Sequence, residues 1–276
     1  MSRIALSLLV LAAFARLGRA DDTSGGRLVT VGDHHLYVHC SGMPSKMTVV
    51  LVNGLGAGLE VWKSVLSEVG KFARVCSYDR AGEGHSDKIG HLQTPDQVVN
   101  DLSRLLEAER VSPPYILVGW SLGGIYVRKF AQRYPDLTAG IVFVDSSHEE
   151  QYNHLVAISP LLAQRYATQD GRFDRDAFLQ SAGQLKLGQH LEWHLDVPLI
   201  VLEHKRLSGP PRTEPERYDA DLHELQADLA ARSKFGKLIE ARGGHMIATE
   251  QPEIVNESIR DVIRQAESLS RVSLQH

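Results

Sequence analysis

The chain has 276 residues, of which 43% are hydrophobic and 23% charged, with a formal net charge of −4. That composition excludes intrinsic disorder, and a chain of this size can bury a large core without covalent staples. With no basic block, nucleic acid is not expected as a partner.

The first twenty residues read as an export signal. Arg3 supplies a positive start, and Ile4 to Phe14 is an apolar run of about eleven residues, within signal range and too short to cross a bilayer. Gly18 and Ala20 place small residues at a cut after Ala20, although Arg16 and Arg19 fit that stretch poorly. Cleavage would remove three arginines and no acid, moving the net charge from −4 to −7. The expectation is an exported protein, periplasmic or secreted, or a membrane-tethered one if the segment is retained. No later stretch is long and apolar enough to span a membrane.

Strand-like and helix-like segments then alternate. Residues 27–31 and 35–40 read as short strands around the turn Gly32-Asp33. Residues 47–52 form a β-branched apolar run ending at Asn53-Gly54, 60–70 have helical spacing, and 72–78 form a further strand. Thr94-Pro95 opens a helix to about residue 110, with Thr94 as N-cap and Val98, Leu102, Leu105 and Leu106 on one face. Strand 115–119 leads into helix 122–134, followed by strands 139–144, 198–202 and 237–241 and a closing helix, 252–267. Continuous apolar strands between helices indicate a mostly parallel sheet covered on both faces. Residues 147–196 break the rhythm and are too long for a plain crossover, so they are expected to form a helical cap inserted between core segments 27–146 and 197–270.

Gly119-Trp120-Ser121-Leu122-Gly123 fits G-x-S-x-G. Its setting, a buried strand before it and a helix directly after, is that of a nucleophile elbow. A serine hydroxyl needs a base, and this triad order places the histidine late in the chain. Gly243-Gly244-His245 follows the last strand and presents His245 for that task.

With these motifs the chain resembles the α/β-hydrolase superfamily, in its lipase and esterase branch, over nearly all of the length after the signal. The matching residues are Val49-Val50-Leu51-Val52-Asn53-Gly54-Leu55-Gly56, Tyr78-Asp79-Arg80-Ala81-Gly82-Glu83-Gly84-His85-Ser86-Asp87, the elbow, and Gly244-His245 before Gln251-Pro252-Glu253. The resemblance implies an eight-stranded, mostly parallel sheet with the second strand antiparallel, and a cap between the sixth and seventh strands. On that fold Cys40 and Cys76 fall on neighbouring strands, as one disulfide or as two buried thiols.

The resemblance also implies an oxyanion hole built from the backbone N–H groups of Leu55 and Leu122. Family members often carry His-Gly where this chain has Asn53-Gly54. The triad acid is expected at Asp145, at the end of the sixth strand, with Glu203, after the seventh, as the alternative. Asp79 and Arg80 are expected to be structural, their loop's charges pairing with each other beneath the site.

No cofactor and no metal site are expected. His190 and His194 are four residues apart but have no evident carboxylate partner, and the glycine-rich Gly54–Gly58 loop lacks the P-loop lysine. The expected activity is cleavage of a carboxylic ester or related acyl bond of a small molecule through an acyl-enzyme. The alternatives are a peptidase or cofactor-free haloperoxidase on the same triad, and a catalytically silent binding protein.

Overall fold

The structure, a computed structural model, describes residues 25–90, 93–161, 163–164, 196–207 and 209–273. The expected signal at 1–20, most of the expected cap and the His190/His194 pair lie outside the described residues.

Eight strands form one sheet: β1 (Arg27–Val31), β2 (His34–Ser41), β3 (Thr48–Val52), β4 (Arg74–Tyr78), β5 (Tyr115–Trp120), β6 (Thr138–Val144), β7 (Leu199–Glu203) and β8 (Gly236–Glu240). Their spatial order is β1-β2-β4-β3-β5-β6-β7-β8. Strand β2 runs antiparallel to both β1 and β4, and every pairing from β4 to β8 is parallel. The expected sheet, with its antiparallel second strand, is the observed one.

Helices cover both faces: α1 (Lys63–Val69), α2 (Pro95–Ala108), α3 (Gly123–Arg133), α4 (Gln151–Ile158), α5 (Glu214–Ala231), α6 (Ile247–Glu250) and α7 (Pro252–Ser273). Side chains alternate across each strand. Leu117, Phe143 and Val201 pack on one face with α2, α3 and α5; Val118, Val142 and Ile200 pack on the other with α1, α6 and α7. Strands buried on both faces have no polar side to present, which is why they read as unbroken apolar runs.

Helix α5 is not among the elements predicted from sequence. It opens with a complete capping box, Thr213 accepting from the Glu216 N–H while the Glu216 side chain accepts from the Thr213 N–H. Cys40 and Cys76 are direct partners across β2 and β4 and are joined as a disulfide.

Candidate active site

The elbow follows from a demand on the backbone. Strand β5 ends at Trp120 and α3 begins at Gly123, so the chain must reverse within two residues. Ser121 takes the bend at φ +52°, a conformation that disfavours a side chain and persists only where the surroundings enforce it. Three backbone bonds hold it: Ser121 N–H donates to Val144 O at 3.2 Å, while Ser121 O accepts from Gly124 N–H at 3.0 Å and Ser147 N–H at 2.9 Å. Gly123 is required here because a Cβ would stand 2.2 Å from the Val52 carbonyl oxygen. Gly54 approaches from the other side, and a Cβ on it would lie 3.0 Å from Ser121 Cβ.

The loop after β3 is tied down from beneath. Asn53 is fully buried; its Nδ2 donates to Tyr78 O at 2.8 Å and its Oδ1 accepts from Trp62 Nε1 at 2.6 Å. Arg80, also buried, donates from one guanidinium nitrogen to Asn53 O and from another to Gly54 O at 2.6 Å. In a planar trans peptide, C=O and N–H point opposite ways. With the Gly54 carbonyl turned to Arg80, the Leu55 N–H is turned away from it. Neither Leu55 N–H nor Leu122 N–H has a recorded hydrogen-bond acceptor among the described residues. Asp79 also serves the backbone, accepting from Leu59 N–H at 2.6 Å and His85 N–H at 2.8 Å. The charges of this loop therefore hold main chain more than they pair with each other; the Arg80–Glu83 contact is 3.8 Å.

The carboxylate and imidazole come from β6 and the loop after β8. Asp145, one residue past β6, has φ +42° and is buried. His245 Nδ1 lies 2.6 Å from Asp145 Oδ2. The indole of Trp120, next to Ser121, packs on the His245 ring with centroids 5.3 Å apart, and its Nε1 donates to His245 O at 2.9 Å. Gly244 N–H donates to Glu250 at 2.9 Å, which fixes the loop from its other side. Ser121, Asp145 and His245 thus sit together at the C-terminal ends of the parallel strands. No hydrogen bond joins Ser121 Oγ to His245 among the described residues.

Glu203 is buried but faces elsewhere. Its Oε2 is 2.8 Å from His223 Nδ1, and it accepts from Arg206 Nε at 3.0 Å. Of the two acids singled out in the sequence, Asp145 alone reaches His245.

Sequence reasoning missed what holds the second oxygen of Asp145. His204 Nδ1 is 2.8 Å from Asp145 Oδ1, and His204 Nε2 is 2.9 Å from Asp219 Oδ1. Burial raises the Asp145 pKa, but the charge of His204 and hydrogen bonds from His204 and His245 outweigh it and hold the carboxyl well below its usual range. Burial lowers the His204 pKa, and the two flanking carboxylates override it, raising it to about 10. The contact of Trp120 was missed too, and Arg80, expected to pair with other charges of its loop, holds two backbone carbonyls instead. Nothing in the sequence flags a tryptophan that anchors a histidine 125 residues away.

A second polar cluster packs α3 and α5 against the segment after β6. Arg128, 1% exposed, donates to Ser147 O at 2.9 Å and Glu149 Oε2 at 3.2 Å. Arg232 donates to Glu149 Oε1 at 2.6 Å and to Asp228 Oδ2 at 2.6 Å. Burial works against the Glu149 charge, yet Arg128, His148 and Arg232 bring its pKa down to about 2.

Known proteins share this architecture. A family model described as "alpha/beta hydrolase fold" matches residues 48–240. An uncharacterised protein, YqjL, of Bacillus subtilis (strain 168) is 28% identical over 220 residues, covering 79% of this chain and 84% of its own. A pimeloyl-[acyl-carrier protein] methyl ester esterase of Photorhabdus laumondii is 33% identical over 100 residues, 36% of each chain. Against several other curated relatives the chain spans less than half of their length. A solved thermophilic esterase from Thermogutta terrifontis superposes with a TM-score of 0.61 at 20% identity, over 87% of this chain and 98% of that one. With a family match across more than half its residues and the sheet order described above, the chain belongs to the alpha/beta hydrolase fold family.

Proposed function

We propose that this hydrolase-fold protein is a serine hydrolase that cleaves a small carboxylic ester or related acyl bond through an acyl-enzyme. The observation that carries the reading is the His245–Asp145 contact of 2.6 Å beside a serine held at φ +52°. Ser121 Oγ attacks the substrate carbonyl carbon while His245 Nε2 takes the hydroxyl proton. The anionic carboxylate of Asp145 holds the Nδ1–H tautomer and stabilises the imidazolium that forms. The oxygen of the tetrahedral intermediate accepts from the N–H groups of Leu55 and Leu122. Collapse breaks the carbon–oxygen bond of the ester, and His245 returns the proton to the departing alkoxide. Water then repeats the sequence on the acyl-enzyme, releasing the acid and restoring Ser121.

The turned-away Leu55 N–H and the positive end of α3 support the oxyanion assignment. The curated relative named as a methyl ester esterase supports an ester as substrate. The Cys40–Cys76 disulfide fits an oxidising compartment and so favours residues 1–20 as an export signal.

The test is hydrolysis of p-nitrophenyl esters of increasing chain length. Wild type should turn over a short-chain member. Ser121→Ala and His245→Ala should each lower kcat on the order of 10⁵–10⁶-fold, with circular dichroism unchanged. Turnover by a folded Ser121→Ala variant within tenfold of wild type removes the reading.

A further inference from the structure

Beside Asp145, on the side away from His245, two histidines and a carboxylate converge in a way the ester chemistry does not require. His204, His223 and Asp219 each offer a ligand atom, a ring nitrogen or a carboxylate oxygen, and these atoms all lie within 4.8 Å of one another. His204 Nε2 is 2.9 Å from Asp219 Oδ1, and His223 Nε2 is 3.6 Å from Asp219 Oδ2. Donor atoms around a tetrahedral zinc, at about 2.0–2.1 Å each, stand roughly 3.3 Å apart, a spacing close to each of these two contacts, which use different oxygens of Asp219.

The far side of each ring is arranged as in a metal centre. A ligating imidazole normally gives its other N–H to a carboxylate, which fixes the ring and leaves the ligating nitrogen bare. His204 Nδ1 is 2.8 Å from Asp145 and His223 Nδ1 is 2.8 Å from Glu203. His223 is 4% exposed, and its Nε2 is a buried nitrogen with no hydrogen-bond partner among the described residues, turned toward Asp219 at a distance too long for one. Three carboxylates, Asp145, Asp219 and Glu203, meet here opposite the guanidinium of Arg206. Asp219 and His204 retain 17% and 15% side-chain exposure, which leaves a way in.

We propose that His204, Asp219 and His223 form a binding site for one divalent transition-metal ion of the zinc class, with a solvent molecule or an exogenous ligand in the fourth position. Two imidazoles and one carboxylate suit zinc better than calcium or magnesium, which prefer all-oxygen cages. The ion ties the segment after β7 to α5 and, through His204, holds the second oxygen of Asp145. Binding does not depend on Ser121 acting as a nucleophile.

The test uses the purified full chain, stripped with a chelator and titrated with Zn²⁺ by calorimetry and with Co²⁺ by visible absorption. Wild type and Ser121→Ala should each take up one ion per chain, with cobalt bands of a tetrahedral or five-coordinate nitrogen–oxygen site. His223→Gln and Asp219→Asn should each weaken binding by about 100-fold or more. Ring ¹⁵N spectra of wild type give the same answer without a variant, because two imidazole nitrogens should shift when Zn²⁺ is added. Absence of stoichiometric uptake by the folded wild type, unmoved histidine nitrogens, or uptake undiminished in both variants overturns the proposal. Loss of ester hydrolysis leaves this result untouched, since Ser121→Ala is titrated alongside.

Discussion

The two sides of the site are built differently. On the side of β3 and β5, the bend at Ser121 and the loop at Asn53-Gly54 are held by backbone bonds, glycines at close approaches and one buried arginine on two carbonyls. On the side of β6, β7 and β8, side chains do the holding, in a chain of contacts from His245 through Asp145 and His204 to Asp219. The first side is a local solution to a steric problem. The second is a long-range charge network whose members lie up to 100 residues apart in sequence. Damage on the first side should therefore chiefly misplace reacting groups, and damage on the second should show up as altered proton transfer or lost stability.

The sharpest probe of the network side compares its two buried acids. Asp145→Asn should cut kcat by about 10⁴-fold through the wrong imidazole tautomer in a protein that still folds, at some loss of stability because the buried carboxylate is held by His204 and His245. Glu203→Gln should leave kcat within a few fold and lower the melting temperature instead, because Glu203 bonds His223 and Arg206 and does not touch His245. Steady-state kinetics beside thermal melts separate the two. Near-normal turnover in Asp145→Asn with loss in Glu203→Gln would reverse the assignment of the acid.

Next in size is the Glu149 cluster. Replacing Glu149 with Gln leaves Arg128 and Arg232 facing a neutral amide in a buried site, which should cost about 3–5 kcal/mol in urea unfolding. The pH dependence follows from the same cluster. The Glu149 pKa is depressed from 4.5 to about 2 in the folded protein, so its contribution is fully present above about pH 4.5 and fades as pH falls toward 2. Wild type should lose that stability across this window and Glu149→Gln should not. Parallel acid-unfolding curves for the two would rule it out.

The smallest expected effect tests the backbone side. Arg80→Met removes the donors to Asn53 O and Gly54 O while keeping an apolar stem. With the Leu55 N–H no longer aimed, kcat should fall by about 10²-fold, with KM changed less. Unchanged kcat in a folded Arg80→Met protein would mean that the loop holds its shape without the arginine.

Legibility in the sequence follows the same division. The mostly parallel sheet and the elbow could be read because their requirements are met by neighbouring residues, unbroken apolar strands and glycines within two positions of Ser121, whereas the antiparallel second strand came from the family resemblance. Helix α5 was missed for a physical reason. Its capping box was present in Thr213-Glu214-Pro215-Glu216, but two of its inward positions carry His223 and Gln226, both buried. They face Glu203 and the Ser146 carbonyl, so the apolar stripe that marks a helix is broken where the helix serves the site. An acid at Asp145 was expected from the family resemblance, which allows one at the end of the sixth strand, and the fold sets its carboxylate against His245. His204 and Asp219 were not, because only the fold brings them to it.

In the proposed mechanism Ser121 is the nucleophile and His245 activates it. Reaction with a fluorophosphonate, followed by peptide mapping of the adduct, tests this directly. A single covalent phosphonyl group should form on Ser121 in wild type, slowed severely in His245→Ala and absent in Ser121→Ala. A wild-type protein that stays unlabelled while a known serine hydrolase reacts beside it, or that carries its adduct on another residue, would contradict it.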